Sequence, residues 1–234
     1  VLGGICFGRA RIAELDIACG FGLVSLVFTV LGVATSIRFS HIAYGLLAAS
    51  VPLAVLVYRR DGRLIEAAGL MILALSAPLI LLITDMVPSQ WDEFTTWLPN
   101  ARFLYDHDGL PTRQNPNLLS ALPAYPYGMP TVTYLVSRVT GRFVENAAAL
   151  FNVVLFLCLA LSLARIVTAA LADDHEQPAK LVVSRGRGPA TPSWVLCAVG
   201  TLGVTALNPT FVKNLVFTAY SDPSSAVLLG LGCL

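Results

Sequence analysis

Charged side chains are scarce. Asp, Glu, Lys and Arg together make up 12% of the 234 residues, where a soluble domain carries about 25%. With 56% hydrophobic residues and a mean hydropathy of +0.74, so little charge cannot clothe a water-facing shell. An ordinary soluble globule and a disordered chain are both excluded. Net charge is missing as well: 15 basic and 14 acidic residues leave +1. That offers no basic field for nucleic acid and no acidic tail. The five cysteines (Cys6, Cys19, Cys158, Cys197, Cys233) contain no C-x-x-C pair, which speaks against a zinc ribbon or a disulfide scaffold. Internal repeats and low-complexity tracts are absent too.

What is plentiful is aliphatic sequence in long runs. A spanning helix needs about 20 apolar residues. Runs at 17–37, 42–58, 64–83 and 145–168 reach or approach that length, a short one covers 194–208, and another occupies 224–234. The expected fold is all-α, a polytopic transmembrane helical bundle, because lipid leaves the backbone of a lone span no partner but itself. The last run stops short at Leu234, so the chain reads as an N-terminal fragment forming one transmembrane domain. Thirteen arginines against two lysines, with much Ala, Gly and Val, point to a bacterial plasma membrane.

Basic residues in the short loops orient such a bundle. Arg9 and Arg11, then Arg59, Arg60 and Arg63, then Arg165, Lys180, Arg185 and Arg187 fall on one face when the spans are counted in order. That face is read as cytoplasmic, with the N-terminus and a Gly/Pro-rich loop at 172–193. Arg38, Arg138, Arg142 and Lys213 fall on the other side. His41 and His175 lie on opposite faces by this count, so no histidine cluster is expected.

The extracytoplasmic face then receives one long segment, 84–142. A loop of that length is usually functional. It holds Asp85, Asp92, Glu93, Asp106 and Asp108, five of the fourteen acids, together with Trp91 and Trp97. Ser89-Gln90-Trp91-Asp92 has the spacing of a helix start, with Asp92 and Glu93 in the first turn, where the helix dipole favours negative charge. Phe94, Leu98, Ala101 and Tyr105 form a stripe on one helical face, Pro99 is a possible kink, and Asp108-Gly109 is the stop. A second short helix follows Tyr125-Pro126-Tyr127-Gly128-Met129-Pro130. Both helices are expected at the membrane interface.

Each notable residue has a plain and a functional reading. Asp92 and Glu93 either cap a helix or act as a general base or metal ligand. Asp106-His107-Asp108 is a solvated helix end or a metal site, although adjacent helical residues do not face one another. Arg102 and Arg113 either clamp a phosphate or are loop charges. Trp97, Tyr125 and Tyr127 are interface anchors or surfaces for a sugar. Asp222, before Pro223, caps the following helix or meets Asp92 across the outer face.

The order Asp92-Glu93, Trp97, Ala101, Leu104, Gly109, then Tyr125-Pro126, Pro130, Tyr134 and Gly141 before a long span resembles the first outer loop of GT-C superfamily membrane glycosyltransferases. These include polyprenyl-phosphate-dependent protein mannosyltransferases and aminoarabinose transferases. The likeness covers about 85–170. Three spans precede the loop here, where the family usually has one, and the family's Pro-Pro pair is spread into Pro126 and Pro130. The resemblance implies inverting transfer from a polyprenyl-phosphate-linked sugar donor held in membrane lipid. Asp92 would be the base and Glu93 the next choice. Arg102, Arg113, Trp97, Tyr125, Tyr127 and Asp222 would contact substrate, and a divalent metal serves some relatives. The alternatives from composition are a transporter or flippase, marked by ionisable residues at mid-membrane, and a non-catalytic assembly protein.

Overall fold

The computed structural model describes residues 13–62, 64, 67–173, 191–205 and 221–232. Every regular element among them is helical. Helices α1 (Ala13–Ala34), α2 (Phe39–Asp61), α3 (Ala67–Thr84) and α6 (Ala147–Asp173) are long and apolar enough to cross a membrane. They mark the chain as a helical membrane protein. Between α3 and α6 lie α4 (Leu98–His107) and α5 (Gly128–Thr140). After α6 come α7 (Trp194–Thr205) and α8 (Ser221–Gly232), each shorter than a span over its described residues. The segment 174–190, most of the expected cytoplasmic loop, lies outside the described residues, as do Arg9, Arg11, Arg63, Lys213 and His175.

Four of the expected spans are present as helices long and apolar enough to cross a membrane, with shifted ends, while 194–208 and 224–234 appear as the shorter α7 and α8. The first begins at Ala13 rather than near residue 17 because Glu14 belongs to the helix. Its carboxylate accepts a hydrogen bond from Arg165 Nε of α6 at 2.8 Å, with both side chains buried. An acid so paired no longer forbids helix at that position. The α2 helix runs on through Arg59 and Arg60 and stops at Gly62, whose φ of 71° is left-handed and whose N–H donates to Tyr58 O. Gly is the residue that adopts this conformation without strain.

Helix α6 is the centre. Val153, Leu155 and Ala160 are fully buried, and α3, α7, α8 and the first half of α1 pack around them. Gly200 of α7 lies against the α6 backbone: a Cβ there would come within 2.9 Å of Ala160 O. Two contacts fix which helix ends lie together. Asn146, just before α6, donates to Ile83 O and Thr84 O at the end of α3. At the opposite end, Glu14 of α1 meets Arg165. The end of α3, the start of α6, and helices α4 and α5 therefore share one end of the bundle.

A second core ties α4 and α5 to the α1–α2 hairpin. Phe28, Phe39 and Tyr134 meet edge to face with centroids 4.9–5.9 Å apart, over Leu104. Such pairs prefer this geometry because each ring has a positive edge and a negative face. Gly32 permits it, since a Cβ there would stand 2.7 Å from the Phe39 ring. Gly128, the first residue of α5, lies against Phe21 and Ser25 of α1. Ser25 is nine residues short of Ala34, which is about 14 Å along a helix at 1.5 Å per residue. The α1–α2 hairpin thus projects beyond the base of α5, and α5 lies along it.

Candidate functional site

The helix carrying Asp92 starts at Trp91, as the Ser89-x-x-Asp92 spacing predicts, but its next turn differs. Glu93–Trp97 is a π turn, closed by Leu98 N–H donating to Glu93 O. Pro99 explains it. Its ring has no N–H and would clash with the carbonyl four residues back, that of Thr95. That carbonyl instead accepts the N–H of Ala121 at 2.7 Å. The expected kink at Pro99 is therefore a widened turn whose freed acceptor docks the later part of the loop.

Of the expected stripe, Leu98 and Ala101 are buried and Tyr105 is partly buried, and only Phe94, inside the π turn, is turned out. Phe94 is exposed, whereas Glu93, Thr96, Trp97, Leu98, Ala101, Phe103 and Leu104 are buried. The acid pair is split accordingly. Asp92 is exposed and makes no hydrogen bond or ion pair among the described residues. Glu93 is turned inward, and its Oε2 accepts the N–H groups of Ser89 at 2.9 Å and Gln90 at 3.0 Å. This is the reach-back half of a capping box, so Glu93 is committed to the helix start.

Among the described residues, no hydrogen bond, ion pair or ring contact joins the remaining predicted residues to Asp92. Arg102 pairs with Asp106 at 2.8 Å and lies 5.1 Å from the Phe143 ring centroid. It is ten residues from Asp92, which is about 15 Å of helix. Arg113 is exposed on the loop. Trp97 is buried with Met129 and Ala148 and meets Tyr125 edge to face at 5.1 Å. That is a core residue's setting and leaves no free face for stacking. The Tyr127 hydroxyl donates to Pro123 O at 2.9 Å. Asp222 falls in the first turn of α8, but its side chain lies outside the described residues. Among the described residues no group of three or more His, Cys, Asp or Glu is placed to hold a metal ion. His107 stacks on Phe103 with centroids 4.2 Å apart.

The sequence reads Asp108 as a helix stop or part of a metal site. The structure makes it neither a solvated end nor, among the described residues, part of a metal-binding cluster, but an acid that accepts four hydrogen bonds from side-chain and backbone groups. It is indeed the left-handed residue after α4, with φ 58° and its N–H on Leu104 O. Its side chain, however, is not solvated. Oδ1 accepts Ser40 N–H at 2.9 Å, the Tyr134 hydroxyl at 2.6 Å and Arg138 Nη at 3.1 Å, while Oδ2 takes the Ser40 hydroxyl. Its backbone oxygen accepts Phe39 N–H. Asp108 thereby caps the start of α2 from 68 residues away. Arg138 also donates to Tyr105 O at 2.7 Å, and its guanidinium lies 4.9 Å from the Tyr105 ring centroid. Burial alone pushes the Asp108 carboxyl up, but the Ser40 and Tyr134 hydrogen bonds and the Arg138 charge outweigh it and hold it below the usual carboxylate range. Burial and the same carboxylate push the Tyr134 phenol well up. The sole signal in the sequence was that Asp108, Tyr134 and Arg138 are polar residues in an apolar chain.

A second polar cluster holds the loop. Asn100, fully buried, donates to Leu122 O at 3.2 Å and accepts from Asn117 Nδ2 at 2.9 Å. No family model matches the chain, and no curated protein or solved structure matches it either.

Proposed function

We propose that this chain belongs to a membrane glycosyltransferase that moves a sugar from a polyprenyl-phosphate donor to an acceptor hydroxyl outside a bacterial plasma membrane. The observation that carries this reading is Asp92: an exposed acid with its carboxylate uncommitted, beside the exposed aromatics Trp91 and Phe94. In the proposed step the acceptor oxygen attacks the anomeric carbon and its proton passes to Asp92. The bond from that carbon to the phosphate oxygen breaks, and the polyprenyl phosphate leaves with the electron pair. Arg113, exposed on the same loop, is the better cation for that charge, since Arg102 is engaged with Asp106. Glu93 positions the turn rather than taking the proton.

The proposed orientation puts segment 84–142 outside, with α4 and α5 at the interface. Arg59 and Arg60 then close α2 on the cytoplasmic side, in keeping with the positive-inside rule. The buried ions favour a transferase over a transporter. Glu14 and Asp16 sit in the first turn of α1, and Arg165 lies about 27 Å along α6 from its start, so they belong to a membrane boundary rather than its middle.

The test is transfer by the full-length protein carrying Asp92→Asn. Activity should fall by about 100-fold or more, the usual weight of a general base, while Glu93→Gln should lower the melting temperature more than it alters the chemical step. An Asp92→Asn protein that works at the parental rate rules Asp92 out as the base.

A further inference from the structure

The segment between α4 and α5 has a composition at odds with a water-exposed loop. From Gln114 through Ser137 there are 24 residues without a single charge. The leucines ahead of α5 are turned out: Leu118 is 86% and Leu119 78% exposed, and Leu122 is exposed as well. The Ala121 to Thr95 hydrogen bond lays this stretch along the π turn. Exposed Leu122 and exposed Phe94 are thus each one residue from that bonded pair.

Several polar groups of the same stretch are partnered within the protein. Leu122 O accepts from Asn100, and Leu122 N–H donates to Ser120 Oγ. Leu119 N–H donates to Asn117 Oδ1, and Tyr125 N–H to Leu122 O. Pro116, Pro123 and Pro126 have no N–H to satisfy. Irregular backbone survives next to hydrocarbon only when its polar groups are partnered within the protein. Depth agrees: the stretch leads into Gly128, which lies against Phe21 and Ser25, inside the span formed by α1. In sequence, exposed Leu81 and Leu82 of α3 and exposed Val87 lead up to Trp91.

We propose that Trp91, Phe94, Leu118, Leu119 and Leu122 form a lipid-embedded surface, seated among the acyl chains of the leaflet next to the loop. This rests on the chain being a membrane protein and not on its being a transferase. Buried this way, the patch anchors the turn that carries Asp92 at a fixed depth.

Fluorescence of the full chain tests it. Trp97 and Trp194 are replaced by Phe, leaving Trp91 alone, and the protein is placed in phosphatidylcholine vesicles, plain or brominated on the acyl chains. Brominated lipid should remove about half of the Trp91 emission or more, as expected for a ring 5–10 Å into the interface, and aqueous iodide should remove little. A second protein with all three tryptophans replaced by Phe and Leu119→Trp should behave alike, which guards against an effect peculiar to the Trp91 position. Quenching by iodide but not by brominated lipid places the patch in water and overturns the proposal. Quenching by neither, in both proteins, means that protein covers the patch, a second copy included, and overturns it too. The readout needs no transfer activity, so its failure is separate from a failure of Asp92.

Discussion

Asp92 and Glu93 are neighbours with the same chemistry and opposite fates. The difference comes from a single turn: one carboxylate points to solvent and the other takes two backbone N–H groups. Asp108 shows the same principle from the other side, a loop-end acid drawn into a hub of three helices. Replacing it by Asn keeps the shape and removes the charge that Arg138 and the start of α2 both use. At neutral pH this should cost about 1–3 kcal/mol of stability, the range for a hydrogen-bonded charge left without its partner. The sign of the pH dependence follows from its depressed carboxyl. Its contribution is fully present above the unfolded value of about 4 and is lost as pH falls through the lower folded value. Melting curves of the parent and Asp108→Asn should differ at pH 7 and converge in strong acid. A constant gap would mean that ionisation of Asp108 contributes nothing.

Among elements, the pairing of α6 with α7 depends on one hydrogen atom. Gly200 admits the Ala160 carbonyl where any Cβ would be 2.9 Å away, the close approach that small residues allow between membrane helices. Gly200→Leu should force α7 off α6 and lower the melting temperature in detergent. Gly203, with open space around its position, is the control, and Gly203→Leu should be tolerated. Equal effects at the two positions would show that the close approach is not what holds these helices. The π turn is an element-scale feature too: Pro99 displaces one carbonyl from the helix, and that carbonyl fastens the loop at Ala121.

For the whole molecule, the link between α1 and α6 is an ion pair between residues 151 apart in sequence. Removing one partner leaves a buried charge without compensation, so Glu14→Leu or Arg165→Leu alone should destabilise the bundle by about 3–5 kcal/mol. The double replacement should recover most of that loss, because it removes both desolvation penalties together. Denaturation of the two single variants and the double variant measures this directly, and additive losses would show that the pair does not act as a pair.

Composition alone determined that the chain is helical and made for a membrane, because scarce charge and long apolar runs permit no other way to satisfy the backbone. It also determined where the four long spans lie and where α4 stops, since these follow from local runs and from residues suited to a left-handed turn. Periodicity placed Leu98 and Ala101 inward but missed Phe94, because the π turn departs from the 3.6-residue spacing there. Only the tertiary structure decided which of Asp92 and Glu93 stays exposed, that Trp97 belongs to the core, and that Asp108 gathers Ser40, Tyr134 and Arg138. Those outcomes depend on partners tens of residues away, brought together by packing that no local pattern encodes. The opening scarcity of charge thereby acquires positions: one pair binds α1 to α6, one hub seats the hairpin, and Asp92, like Asp85 and Glu145, is left facing out.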